Sequence, residues 1–306
     1  MTSPQATQPG RQHQAEALRK CIVPLTVLVL VFSLPLYSLV RFSVQSSLYS
    51  HIVLIPFVSA YLIWVQRASL PAVAAPWRLP AYVCFGMGVA STGGYWFGKF
   101  SGANLAPVDN LALTTLSLVS FVAGLCAWLL GRQMLRAIAF PVAFLLFMVP
   151  LPTAVETMTE TFLQHGSALA ARFFFMLAGT TVYANGLSFQ LPGITLQIAP
   201  ECSGIHSSLA LLITSLVTGQ LVLRSRSKRI ILALAVIPLA LLRNGLRVFV
   251  IGELCVHIGP EMIDSYIHRQ GGPIFFVISL VPFFLLLALL IRLERKSKNK
   301  SLPTKS

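Results

Sequence analysis

Residues 199–223, APECSGIHSSLALLITSLVTGQLVL, join a polar, turn-rich stretch to an apolar run long enough to cross a bilayer. Pro200 halts whatever precedes it, and Glu201 or Ser203 can cap the helix that follows. Between those two caps sits Cys202. A thiol at a helix start feels the positive end of the helix dipole, which favours thiolate over thiol. This stretch predicts a membrane span from Ser203 to Leu223 with a reactive cysteine at its mouth.

Working outward, the same apolar pattern recurs along the chain. Of 306 residues, 56% are hydrophobic and only 10% charged, the composition of a polytopic membrane protein. Eight runs approach the length a span needs: Cys21–Val40, Ser50–Gln66, Ala81–Gly98, Val108–Leu130, Met134–Leu151, Ser203–Leu223, Ile230–Gly252 and Pro273–Ile291. The fold class expected is therefore an all-α polytopic membrane protein of about eight transmembrane helices. The polar start, residues 1–20, is too long and too uncharged for a cleavable signal, which makes the first run a retained span. Residues 1–20 and 293–306 read as solvated tails flanking one integral membrane domain, 21–292.

The net charge of +14 is spread between the apolar runs, so it orients the chain in a membrane and does not mark a nucleic-acid surface. With eight spans, seventeen of the 23 basic residues fall on one side. The opposite side keeps only Arg41, Lys99, Arg172 and Arg269, while Arg243 and Arg247 lie within a span. Both termini are then cytoplasmic, and Cys202 faces outward. That count requires Thr157–Ala178, which carries Glu160, His165 and Arg172, to lie as an amphipathic helix on the outer face. Beyond it Leu187, Phe189 and Leu191 alternate with polar residues, Pro192-Gly193 turns, and Leu196 and Ile198 resume the alternation. That is a short hairpin leading to the cysteine.

The outward topology brings other reactive groups to the depth of Cys202. Arg247 lies five residues before the expected end of its span at Gly252, and His268 lies in the following outer loop. A thiolate attacking a carbonyl, an imidazole moving the proton and a guanidinium holding the developing anion are the parts of thiol-based acyl transfer. His206, four residues after Cys202, competes for the base role; His257 is a weaker rival, and His51 starts span two on the same side. Arginine within a span is costly and marks function by default. By position Arg247 serves the site with Asn244 on its face, and Arg243 pairs with an outer-loop carboxylate such as Glu201. The five cysteines show neither CxxC nor Cys/His ligand spacing, so no metal or other cofactor is expected. A Cys202–Cys255 disulfide is the competing use of the thiol.

The run PECSGIHSS, the segment LLRNGLRVFVIGEL from Leu241 to Leu254 and the stretch HRQGG from His268 resemble the exosortase/archaeosortase family. Tyr49-Ser50-His51 and FLLFMVPLP, Phe144 to Pro152, extend the likeness over most of the chain. The resemblance implies a membrane transpeptidase with Cys202, Arg247 and His268 as its catalytic residues. It implies substrate proteins ending in a Pro-Glu-Pro-like motif, a transmembrane helix and a basic tail, an acceptor of unknown chemistry, and a Gram-negative inner membrane with the site on the periplasmic side, beside exopolysaccharide production. It gives Arg243 no role. The rivals are an intramembrane cysteine protease that uses water as acceptor, an anion transporter, and a structural subunit of a polysaccharide export complex.

Overall fold

The computed structural model describes residues 22–71, 75–102, 105–265 and 271–300. The chain forms two compact units that meet in sequence at Thr153.

In the first unit, α1 (Ile22–Val31) and α2 (Ser33–Gln45) bend by 71° at their junction, so the first apolar run is a broken helix. A 3-10 turn, Ser50–Leu54, leads into α3 (Ile55–Gln66). Two long helices follow, α4 (Arg78–Phe100) and α5 (Pro107–Ala137). They pack through a reciprocal exchange of glycine and phenylalanine. A Cβ at Gly88 would stand 3.1 Å from the Phe121 ring, and one at Gly124 would stand 2.6 Å from that of Phe85. Beside these rings the Ser117 hydroxyl donates to the Gly88 carbonyl at 2.9 Å. Gly131 interrupts α5 at φ 74°, and α6 (Ala139–Phe144) runs into a 3-10 turn, Leu145–Met148. The expected fifth span, Met134–Leu151, is broken into short pieces: α5 ends at Ala137, α6 covers only Ala139–Phe144, and the 3-10 turn closes at Met148.

The second unit carries α7 (Thr153–Ala178), three strands, and then α8 (Ile205–Val222), α9 (Arg226–Leu234), α10 (Val236–His257) and α11 (Gly272–Lys300). The expected hairpin is present and gains a strand. β1 (Tyr183–Asn185), β2 (Ser188–Leu191) and β3 (Ile194–Gln197) form an antiparallel sheet in chain order. Phe189, Leu191, Leu196 and Ile198, the inward set of the alternation, are buried against Ala171 and Phe175 of α7 and Val248 and Ile251 of α10.

α7 and α10 touch along a seam of small residues. A Cβ at Gly166 would lie 2.6 Å from Leu241, one at Gly252 2.5 Å from Phe175, and one at Gly245 would strike Ala170. The other side of α7 is exposed and mixed: Met158, Phe162, Leu169, Phe173 and Met176 stand there beside Thr161, His165 and Arg172. At the far end of α8, Leu211, Leu223, Leu232, Val236, Phe283 and Leu287 pack α8 to α11 together. There the Glu294 carboxylate accepts the backbone N–H groups of Arg224 (3.2 Å) and Ser225 (2.7 Å), closing the turn into α9 from α11.

Against the eight spans expected, five described segments are long and apolar enough to cross a membrane on their own: Ser50–Ser69, Pro107–Ala137, Ile205–Val222, Arg226–His257 and Gly272–Lys296. The number rises to seven if Ile22–Val31 with Ser33–Gln45, and Ala139–Met148 with Thr153–Ala178, each count as one bent span. The helix at the third expected span, α4, does not qualify, since glycine, serine and threonine dilute its apolar residues. The chain is a helical, multi-pass membrane protein.

Gly245→Val tests the α7–α10 seam. Overpacking costs about 1–3 kcal/mol, so the detergent-purified variant should melt several degrees below wild type. An unchanged Tm would show that the two backbones do not meet there.

Candidate active site

The cysteine turn is built by three local events. The strand β3 ends at Gln197, Pro200–Cys202 forms a single 3-10 turn, and Gly204 then takes the left-handed conformation (φ 75°) that opens α8. Gly204 is the residue that caps α8, with no side-chain cap, so neither Glu201 nor Ser203 fills that place. The reversal at Gly204 also separates Cys202 from the helix. His206, expected one turn above the thiol on a shared face, is exposed and does not line the cavity around Cys202.

Four hydrogen-bonding groups hold this turn. Asn244 on α10 is buried, and its Nδ2 donates to the Cys202 carbonyl at 2.8 Å, to Ser167 Oγ at 3.0 Å and to the Ser203 carbonyl at 3.3 Å. Gln164 on α7 donates from Nε2 to the Ile198 carbonyl at 3.0 Å. Arg243, only 5% exposed, donates from Nη2 to the Gly204 carbonyl at 3.1 Å and to Ser208 Oγ at 3.2 Å. The Ser208 hydroxyl in turn donates to the same carbonyl at 2.8 Å. Arg243 is thus a clamp on the turn. One carbonyl and one hydroxyl satisfy part of its guanidinium. Among the described residues, Nη1 of Arg243 and the buried hydroxyl of Ser203 have no hydrogen-bond partner.

A small cavity of about 30 Å³ lies beside the turn. It is lined by Leu196, Gln197, Ile198, Cys202, Arg247, Val248 and Ile251. Cys202 and Arg247, 45 positions apart in sequence, therefore face one space. The walls are otherwise apolar, which strengthens any charge interaction inside. Arg247 is not near a helix end, as was expected: α10 continues to His257, which places Arg247 about 15 Å below its terminus at ~1.5 Å per residue. The sheet folds back along α10 and carries the cysteine to it.

Of the remaining sequence candidates, His268 and the Glu201 side chain lie outside the described residues. His257 is exposed and pairs with Glu253 at 3.0 Å, whose other oxygen accepts the Thr180 hydroxyl at 2.5 Å. His51 belongs to the first unit, with its Nδ1 3.1 Å from the Leu48 carbonyl. Cys202 and Cys255 are both free thiols, so the disulfide is not formed. Among the described residues no group of His, Cys, Asp and Glu is placed to hold a metal ion. Sequence reading passed over Gln164, Ser167 and Ser208; the first two are polar residues three apart on an otherwise apolar stripe of α7, the pattern of an inward hydrogen-bonding patch.

The chain matches the transmembrane exosortase family (Exosortase_EpsH) across residues 43–285 and belongs to it. No curated protein and no solved structure matches the chain. The match spans every element of the site, from the sheet to α10.

Asn244→Leu, close in volume, removes the donor shared by Cys202, Ser203 and Ser167. Buried acceptors left unpaired cost about 1–3 kcal/mol each. The variant should melt lower, and Cys202 should react with a small maleimide at a rate changed severalfold. Asn244→Asp, which lacks the N–H₂, should fail in the same way. Wild-type behaviour of both variants would show that this amide does not hold the turn.

Proposed function

We propose that this exosortase-family protein is a membrane cysteine transpeptidase that cleaves a C-terminal sorting signal, made of a Pro-Glu-Pro-type motif, a transmembrane helix and a basic tail, and transfers the remaining protein to an acceptor nucleophile. The observation that carries this reading is the shared cavity of Cys202 and Arg247. On the eight-span count, with α7 lying on the outer face, the placement of basic residues supports an inner-membrane location with the site facing the periplasm.

In this reading the Cys202 thiolate attacks the scissile carbonyl carbon, forming a C–S bond while the C=O electron pair moves onto oxygen. The Arg247 guanidinium donates to that oxyanion. When the oxyanion collapses, the C–N bond breaks and His268 gives its proton to the departing amine, which leaves with the membrane tail. An acceptor nucleophile then attacks the thioester, giving up a proton to the imidazole, and the thiolate is released. Asn244, Arg243 and Gly204 keep the thiol at the cavity wall through the backbone of the turn.

The test co-expresses this protein with a reporter carrying such a C-terminal tail and follows the reporter by intact mass. Wild type should remove the tail, Cys202→Ala should remove none, and Arg247→Ala should slow removal by roughly 10²–10³-fold, the scale for losing an oxyanion donor. His268→Ala should also abolish removal. The product mass separates transfer to an acceptor from hydrolysis by water. Tail removal that persists in Cys202→Ala would end the thiol mechanism.

A further inference from the structure

The cavity does not end at its side-chain walls. β3 lines one side of it, and β3 is the last strand of the sheet: among the described residues it pairs with β2 and with no other strand. The register pairs Leu191 with Ile194, Phe189 with Leu196 and Ser188 with Gln197, and beyond the strand Ile198 N–H donates to the Leu187 carbonyl at 3.0 Å. In an antiparallel ladder the hydrogen-bonded positions alternate. Ile194, Leu196 and Ile198 therefore turn their backbone groups toward β2, and Thr195 and Gln197 turn theirs outward. Both of these residues are exposed, and among the described residues neither makes a backbone hydrogen bond across the outer edge.

Edges of this kind are usually blunted by lysine, proline or a bulge. Thr195-Leu196-Gln197 carries none of these. Nor does such an edge sit in hydrocarbon, where its N–H and C=O groups would be unsatisfied. Its position makes it more than a loose end. Leu196, Gln197 and Ile198 line the cavity, and Cys202 lies five positions after Gln197.

We infer that the outer edge of β3 takes the extended segment of the substrate protein that precedes its membrane helix, as a fourth antiparallel or parallel strand. This rests on the proposed transpeptidase reading and names how that site selects its substrate. Main-chain bonds to Thr195 and Gln197 hold the segment straight, one side chain enters the apolar space between Ile198, Val248 and Ile251, and the next carbonyl along lies at the thiol. Strand addition supplies affinity through the backbone and selectivity through alternate side chains. A flexible or helical segment has no such register, so only an extended one is presented to Cys202.

The test separates backbone from side chain. Gln197→Pro deletes one outward N–H and leaves the β2–β3 ladder whole, because Gln197 does not donate to β2 and Leu196 is already extended. Gln197→Ala keeps that N–H. With the tailed reporter, Gln197→Pro should process at least tenfold more slowly than Gln197→Ala. Without reporter, maleimide should alkylate Cys202 at the same rate in both. Wild-type processing by Gln197→Pro overturns strand addition. A second arm guards against local damage: single prolines are walked through the reporter residues ahead of the cleavage point. Inhibition at every second position supports the added strand, whereas an effect with no such alternation overturns it. A dimer that Gln197→Pro dissolves would assign the edge to a second copy and also overturn it. None of these results bears on the dependence on Cys202, whose loss of importance alone would defeat the transpeptidase reading.

Discussion

The side-chain amide of Asn244 is the constraint on which the rest of the site depends. One nitrogen, buried between three segments, meets the carbonyls of Cys202 and Ser203 and the hydroxyl of Ser167. It joins α7, α10 and the cysteine turn at a single point. The turn has no ladder of its own at that place, only a 3-10 turn and a left-handed glycine. A backbone so poor in local hydrogen bonds keeps its shape because buried donors from outside complete it. Arg243 and Gln164 do the same on either side of Asn244.

Gly204 shows how closely these requirements are drawn. Its φ of 75° suits glycine, and a Cβ there would stand 2.9 Å from Arg243 Nη2 and 3.1 Å from Asn244 Oδ1. Conformation and space thus demand the same residue. The positive guanidinium of Arg243 sits one helical turn from that of Arg247, an arrangement that repulsion disfavours. The Gly204 carbonyl and Ser208 hydroxyl offset this for Arg243, and leave Arg247 to face the cavity.

Much of this was legible in the sequence, and the limits have physical causes. The apolar runs announced a multi-pass membrane protein, and the alternation from Leu187 to Ile198 announced the hairpin, because burial imposes both periods directly. The pairing of Cys202 with Arg247 was legible through rarity, since arginine is seldom placed within a span without a use. Helix ends were not legible. Gly252 looked like an end and is instead a close-packing position opposite Phe175, so α10 runs on to His257. Gly204 was read within a helix start, and its positive φ overturned the expected capping by Ser203 and the expected alignment of His206. A glycine chosen for space and a glycine chosen for conformation look alike in a sequence. The contact of Arg243 with the Gly204 carbonyl was not legible for a related reason: a carbonyl left open by a sharp turn leaves no mark in the residue pattern.

The glycine seam between α7 and α10 bears on how a substrate arrives. Where Gly166, Gly245 and Gly252 bring the two helices into direct contact, there is no room for a lipid chain, let alone a third helix. On the proposed reading, a substrate still anchored in the bilayer by its own tail cannot pass between α7 and α10, so the seam acts as a wall that narrows the direction of entry.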